Sequence, residues 1–351
     1  MALTRRGRMA LTIGAVVTLV VAVAVGFALS GSKNPVSAAI DRLTGNSTAP
    51  PAPCPLTGLA PRGGKAVPHR PVLAVKVENT SAAYPLAGLD RADVVYEELV
   101  EGGITRFMAL YQCQDSTRVG PVRSARTTDP GVLVQYGAHP LLAYSGGQLA
   151  VVNLVNHSGV IGLTETTAGG ALKRDGARVA PHNLFGNTRS LYAAAKRSSK
   201  NEGAPDPVFS FGSGVQKGKT VRSAQIEFSS GSTAAWSWSG GRWVRLLDGA
   251  PMRLDGGVSV EADNVLIQQV VVVPGKLVDV LGNHSPDVTL TGTGKAWLLR
   301  DGKLVTGTWQ RTALGDTTVF RTRAGDAFEL KPGTTWVALA PKGMPVTFSK
   351  R

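Results

Sequence analysis

Cysteine is nearly absent, with two residues in 351, which excludes a disulfide-dense scaffold and any four-thiolate zinc site. Histidine is scarce as well. His139, His157 and His182 show no paired spacing suited to a metal, and neither a metal nor a cofactor is expected. Acidic residues are few, 24 against 38 Lys and Arg, which leaves a net charge of +14. Charged residues amount to only 18%, whereas hydrophobic ones reach 43%, so the chain can bury cores and general disorder is excluded. Long helical patterns are also lacking. With 42 glycines and 21 prolines, a helical bundle is excluded and many turns and short strands are implied.

One long apolar run stands out, from Ala10 to Leu29, behind Arg5, Arg6 and Arg8. About 20 residues at 1.5 Å rise span roughly 30 Å, the depth of a bilayer's hydrocarbon core. A buried core helix would show a polar face, which this run lacks. A signal anchor over 1–30 is therefore expected, crossing a bacterial cell membrane once and leaving the bulk of the chain extracytoplasmic. Secretion after cleavage near Val36-Ser37-Ala38 is the alternative. No cysteine follows the run closely, so lipid attachment there is not available. Export reassigns the positive charge. Nucleic acid is not an expected partner; an anionic envelope polymer or a cell-wall synthase is. With both cysteines exported and no other partner in the chain, a Cys54–Cys113 disulfide is expected, against free thiols or an intermolecular link.

Residues 31–54 read as a flexible Pro/Ser/Thr-rich tether, and 201–222 as a linker rich in Ser, Lys, Gly and Pro. All six tryptophans follow that linker and both cysteines precede it. The expected fold is an α/β (α+β) N-terminal domain with a mixed sheet over 55–200, followed by a β-rich antiparallel C-terminal domain over 223–351. In the first domain, 72–77, 94–100, 104–111 and 141–144 read as strands, with a hairpin turn at Glu101-Gly102-Gly103. Helices are expected at 130–136, 148–156 and 187–200, the last capped by Asn187 or Thr188.

Three stretches hold polar residues that a fold alone does not require. Along 96–101, strand alternation puts Glu97 and Glu101 on one face and Glu98 on the other, with Arg106 across the turn. Arg118, Arg123 and Arg126 surround a Gly-Pro turn and form a forked donor array suited to carboxylate or phosphate. His182 and Asn183 follow Pro181 in a loop. Glu97, Glu101, Arg106, Arg123, Arg126, His182 and Asn183 are expected to converge on one cleft, either as a ligand site or as an ion network. Catalytic templates fail: Ser145 lacks the preceding glycine of a nucleophile elbow.

These stretches carry a resemblance. Pro55–Leu59 (PLTGL), Gly88–Glu97 (GLDRADVVYE), Glu101–Phe107 (EGGITRF), Gly120–Arg126 (GPVRSAR) and Ala180–Asn183 (APHN) resemble the YerB-like bacterial envelope proteins, a family of unknown function with N- and C-terminal parts. Gly307–Trp309 (GTW) and Gly333–Trp336 (GTTW) look like its C-terminal pattern. The resemblance implies a secreted or membrane-tethered envelope protein, often a lipoprotein, without an established enzyme activity. The function expected is a non-enzymatic binding protein for an anionic envelope ligand or a cell-wall synthesis partner. The alternative is an extracellular hydrolase using Glu97, Glu101 or Asp129 with His182 on a wall polymer.

Overall fold

A computed structural model describes residues 52–196, 203–214 and 217–350. The expected anchor over 1–30 and all but the last residues of the tether over 31–54 lie outside the described residues. Among the described residues, no helix is long and apolar enough to cross a membrane. Ala52–Arg351 forms one compact unit.

The N-terminal part supplies β1 (Leu73–Val77), β2 (Val94–Leu99), β3 (Thr105–Tyr111), β4 (Leu141–Ala143) and β5 (Ile161–Leu163), with a small hairpin of β6 (Leu172–Arg174) and β7 (Leu184–Gly186). Its helices are α1 (Thr128–Leu133), α2 (Leu149–His157) and α3 (Thr188–Ala195). The C-terminal part supplies β8 (Ser223–Ser229), β9 (Ser232–Ser239), β10 (Arg242–Leu247), β11 (Asn264–Val270), β12 (Val272–Val278) and β13 (His284–Val288). It continues with β14 (Gly292–Arg300), β15 (Lys303–Arg311), β16 (Val319–Thr322), β17 (Thr335–Pro341) and β18 (Val346–Ser349). The cap of α3 is as expected: the Asn187 side chain accepts the Ser190 amide at 3.1 Å.

The large sheet runs β16-β15-β14-β11-β17-β2-β3-β1-β4-β5. Strands from both sides of the 201–222 linker thus build one sheet, and β17 is the joint. It pairs parallel to both β2 and β11, an exception to the antiparallel pattern expected after residue 223. Every residue of β17 is buried, the condition of a parallel strand covered on both faces. On the other side of β2, the expected hairpin brings Glu98 opposite Arg106. Strand β1 then pairs antiparallel to β3 and parallel to β4, which is parallel to β5.

A second, antiparallel sheet of β10, β9, β8 and β18 covers one face of the large one. The seam is aromatic. Trp336 of β17 meets Trp236 and Phe107 edge-on, with ring centroids 5.2 and 5.1 Å apart. Helices α1 and α2 cover the opposite face, where Val132, Leu133 and Val155 pack with Ala74, Met108 and Leu142.

Cys54 and Cys113 are bonded, as expected, across 59 positions of sequence. The turn that carries Cys113 is held a second time, because the Asp93 carboxylate accepts the amides of Gln112 at 2.5 Å and Cys113 at 3.0 Å. Cys113→Ser is therefore expected to keep the native fold while losing about 2–4 kcal/mol, near the chain-entropy value for a loop this long. Urea unfolding checks this; an unchanged midpoint would contradict it.

Candidate functional site

The charged residues gather where β1, β4 and β5 end. The segment Val119–Val122 bridges to Gly186, Ala87 and Val77, passing so close to β7 that a Cβ on Gly120 would sit 2.7 Å from the Leu184 carbonyl oxygen. It delivers Arg123, Ser124 and Arg126 across the end of β1. The Arg123 amide donates to the Lys76 carbonyl, and its carbonyl accepts the Ser145 amide from the β4–α2 loop. Ligands of open α/β sheets bind outside the carboxyl ends of such strands.

Strand alternation sorts the side chains. Lys76, Glu98 and Arg106 share the sheet face that α1 covers. Lys76 is fully buried and donates to Glu98 and, at 2.7 Å, to Asp129. Burial, with Asp129 nearby and against the pull of Lys76, pushes the Glu98 carboxyl up to about 7. Asp129 also accepts the Arg126 amide at 2.7 Å. Arg126 in turn donates to Glu101 at 2.6 Å, and Glu101 accepts the Ser285 hydroxyl at 2.5 Å. Burial opposes ionisation of Glu101, but the Ser285 hydroxyl and the Arg126 guanidinium outweigh it and hold the carboxyl below its usual range.

Arg106 lies beneath this chain. It is 6% exposed; among the described residues its Nε has no hydrogen-bond partner, and its one side-chain hydrogen bond is a long 3.5 Å one to the Ser124 carbonyl. Burial, then the Arg126 and Arg123 charges, pushes its pKa down to about 10. Arg123 is partnered as loosely, with its Nε 3.4 Å from Glu78. Glu78 is buried and also accepts from His182 Nδ1 at 2.9 Å and from Thr80 at 3.0 Å. Guanidinium donors are thus in surplus at this point, which is the chemistry of an oxyanion site.

Of the seven residues expected to share a cleft, Glu101, Arg106, Arg123, Arg126 and His182 are brought near one another, Glu101 through Arg126 and His182 through the Glu78 carboxylate that Arg123 also meets. Glu97 does not. It points to the other face of the sheet, where it accepts from Arg245 at 2.9 Å, Thr105 at 3.0 Å and Trp336 Nε1 at 3.0 Å. Asn183 is turned into its own loop, accepting from Arg174 and donating to the carbonyls of Asp175 and Arg178. Arg118 also leaves the array, pairing with Asp175 and Asp255 over the Phe185 ring. The sequence reading passed over Lys76, Glu78, Glu98 and Ser285. A lysine inside the apolar run Leu73–Val77 was the available signal, since a charge there must be buried and paired.

The fold and the array define a mixed-sheet protein whose two sequence halves complete one another. Two family models match: "Protein of unknown function (DUF3048) N-terminal domain" over residues 56–201 and its C-terminal domain over 224–337. The chain belongs to this family. It is 25% identical over 311 residues to "Putative lipoprotein YerB" of Bacillus subtilis (strain 168), covering 86% of this chain and 90% of that protein. The crystal structure of the YerB protein from Bacillus subtilis matches with a TM-score of 0.69 at 25% identity, covering 84% of this chain and 99% of that one.

The raised Glu98 pKa gives a pH test. The folded state holds this proton more tightly than the unfolded chain does. Its contribution to stability is therefore full below the ordinary carboxylate value of 4.5 and is lost as pH rises toward 7. The melting temperature of wild type minus that of Glu98→Gln should fall between about pH 5 and about pH 8. A difference that grows across this range would contradict the assignment.

Proposed function

We propose that this is a membrane-held, extracytoplasmic envelope protein that binds an oxyanion, such as a phosphate group of an envelope polymer, through Arg106 and Arg123. The observation that carries the reading is Arg106, a buried guanidinium without a carboxylate partner of its own among the described residues. Its surroundings support the assignment. The Gly146 and Gly147 amides beside Arg123 donate no hydrogen bond among the described residues, and α2 begins just after them.

Membrane attachment rests on the YerB relative, which is named as a lipoprotein. This chain has only Cys54 and Cys113, and they are bonded to each other. The Ala10–Leu29 run is then the anchor, with the basic residues before it on the cytoplasmic side. A non-enzymatic role is favoured because Glu97, Glu101 and Asp129, the carboxylates of the hydrolase alternative, are each committed to an internal ion pair.

Inorganic phosphate is the probe. Titration calorimetry on the full chain should show binding, and a hundredfold excess over Kd should stabilise the fold by about 2.7 kcal/mol. Arg123→Ala should abolish binding and lower the melting temperature less than Arg126→Ala does, because its pair with Glu78 is loose, at 3.4 Å, and Glu78 keeps His182 and Thr80 as donors. Arg126→Ala should instead destabilise by roughly 1–3 kcal/mol, since it strands the Glu101 carboxylate. Absence of phosphate binding, or wild-type binding by Arg123→Ala, would refute the reading.

A further inference from the structure

Among the described residues the hairpin of β12 and β13 pairs with no other strand, and it carries an unusual amount of exposed apolar surface. Thirteen large hydrophobic side chains are exposed among the described residues, and five of them fall between 271 and 281. At the tip, Val280 is 101% exposed and Leu281 is 83% exposed. A concentrated patch of this kind marks an interaction surface. The tip is also joined to the arginine array. Ser285 donates to Glu101, Thr127 donates to the Pro286 carbonyl, and a Cβ on Gly102 would lie 4.0 Å from the Asn283 amide nitrogen.

The geometry points to this tip entering the interfacial layer of an anionic phospholipid bilayer, with the arginine array beside it meeting headgroup phosphates. The inference rests on the oxyanion reading above and names the source of the oxyanion. Three observations support a lipid surface as the occupant. The tip's backbone is satisfied from within: Asp279 accepts the amides of Leu281 and Asn283, and its carbonyl accepts that of Gly282. Tip amides closed in this way suit a layer poor in water. The part of the chain after residue 51 holds 33 Lys and Arg against 23 Asp and Glu, a net charge of +10 that complements an anionic leaflet. The stretch from Ser30 to Pro51 is also short. At no more than about 3.6 Å per residue, it holds Ala52 within about 80 Å of the end of the apolar run.

The test uses the full chain, whose two cysteines are bonded, so that Leu281→Cys provides a single free thiol for a nitroxide label. The protein is reconstituted in vesicles of phosphatidylcholine with phosphatidylglycerol, and in phosphatidylcholine alone. Collision with oxygen and with an aqueous nickel chelate is then measured. The expected result is a reversal at residue 281 from nickel-accessible to oxygen-accessible in the phosphatidylglycerol vesicles. A label at Val258→Cys, half exposed on a turn of the second sheet, should stay nickel-accessible. A 281 label that stays in water in both lipids, or one shielded from both reagents by a protein partner, would overturn the inference. Phosphate titration of the same protein separates the two claims. Phosphate binding with an aqueous 281 label defeats the lipid docking alone. A lipid-buried label without phosphate binding defeats the oxyanion reading and leaves the hairpin docking standing.

Discussion

The carboxylate of Glu97 is the point at which three parts of the chain are fastened together. It sits on β2, accepts from Arg245 of the second sheet and from the indole of Trp336 on β17, and is closed off by Thr105 of β3. Burying two charges is costly, and such a pair contributes little net stability compared with an apolar filling. Its effect lies in selection. A second sheet docked in any other register would leave Glu97 and Arg245 as unpaired buried ions, at about 3–5 kcal/mol. The aromatic seam of Trp236, Trp336 and Phe107 supplies the attraction between the sheets, and the ion pair fixes where they meet.

The opposite face of the same strands is organised on different terms. There the buried charges form a chain, Lys76 to Asp129 to Arg126 to Glu101 to Ser285, in which most partners are accounted for. Arg106 is the exception. The Gly-Pro segment that crosses the end of β1 keeps Arg123 over it, and the β4–α2 loop closes the other side. One strand pair thus carries a structural clasp on one face and a guanidinium-rich cluster on the other, separated by a single step of side-chain alternation.

That step explains what could be read from the sequence. Alternation placed Glu97 and Glu98 on opposite faces correctly, and the strands, turns and Asn187 cap were legible from local chemistry. The choice between the two glutamates was not. Glu97 needs Arg245 and Trp336, both far away in sequence, and nothing near Glu97 announces them. Glu101 joined the array despite the alternation that grouped it with Glu97. The chain leaves the strand at Leu99, and Gly102 and Gly103 adopt positive φ of 71° and 73°, so the period of two no longer holds. The composition change near 201–222 carries no trace of β17, whose parallel partners, β2 and β11, lie on opposite sides of that segment.

The position of β17 also sets the order in which the molecule can be completed. Glu97 and Trp336 are 239 residues apart, yet their strands are neighbours. A chain appearing N-terminus first holds β2 with one open edge until nearly its whole length is present. Contacts of this separation fold slowly, and an open apolar edge invites wrong pairing in the meantime. The two parts recognised by the family models are in this sense one cooperative folding event. A fragment ending at the linker would lack the strand that closes its sheet on the open side of β2.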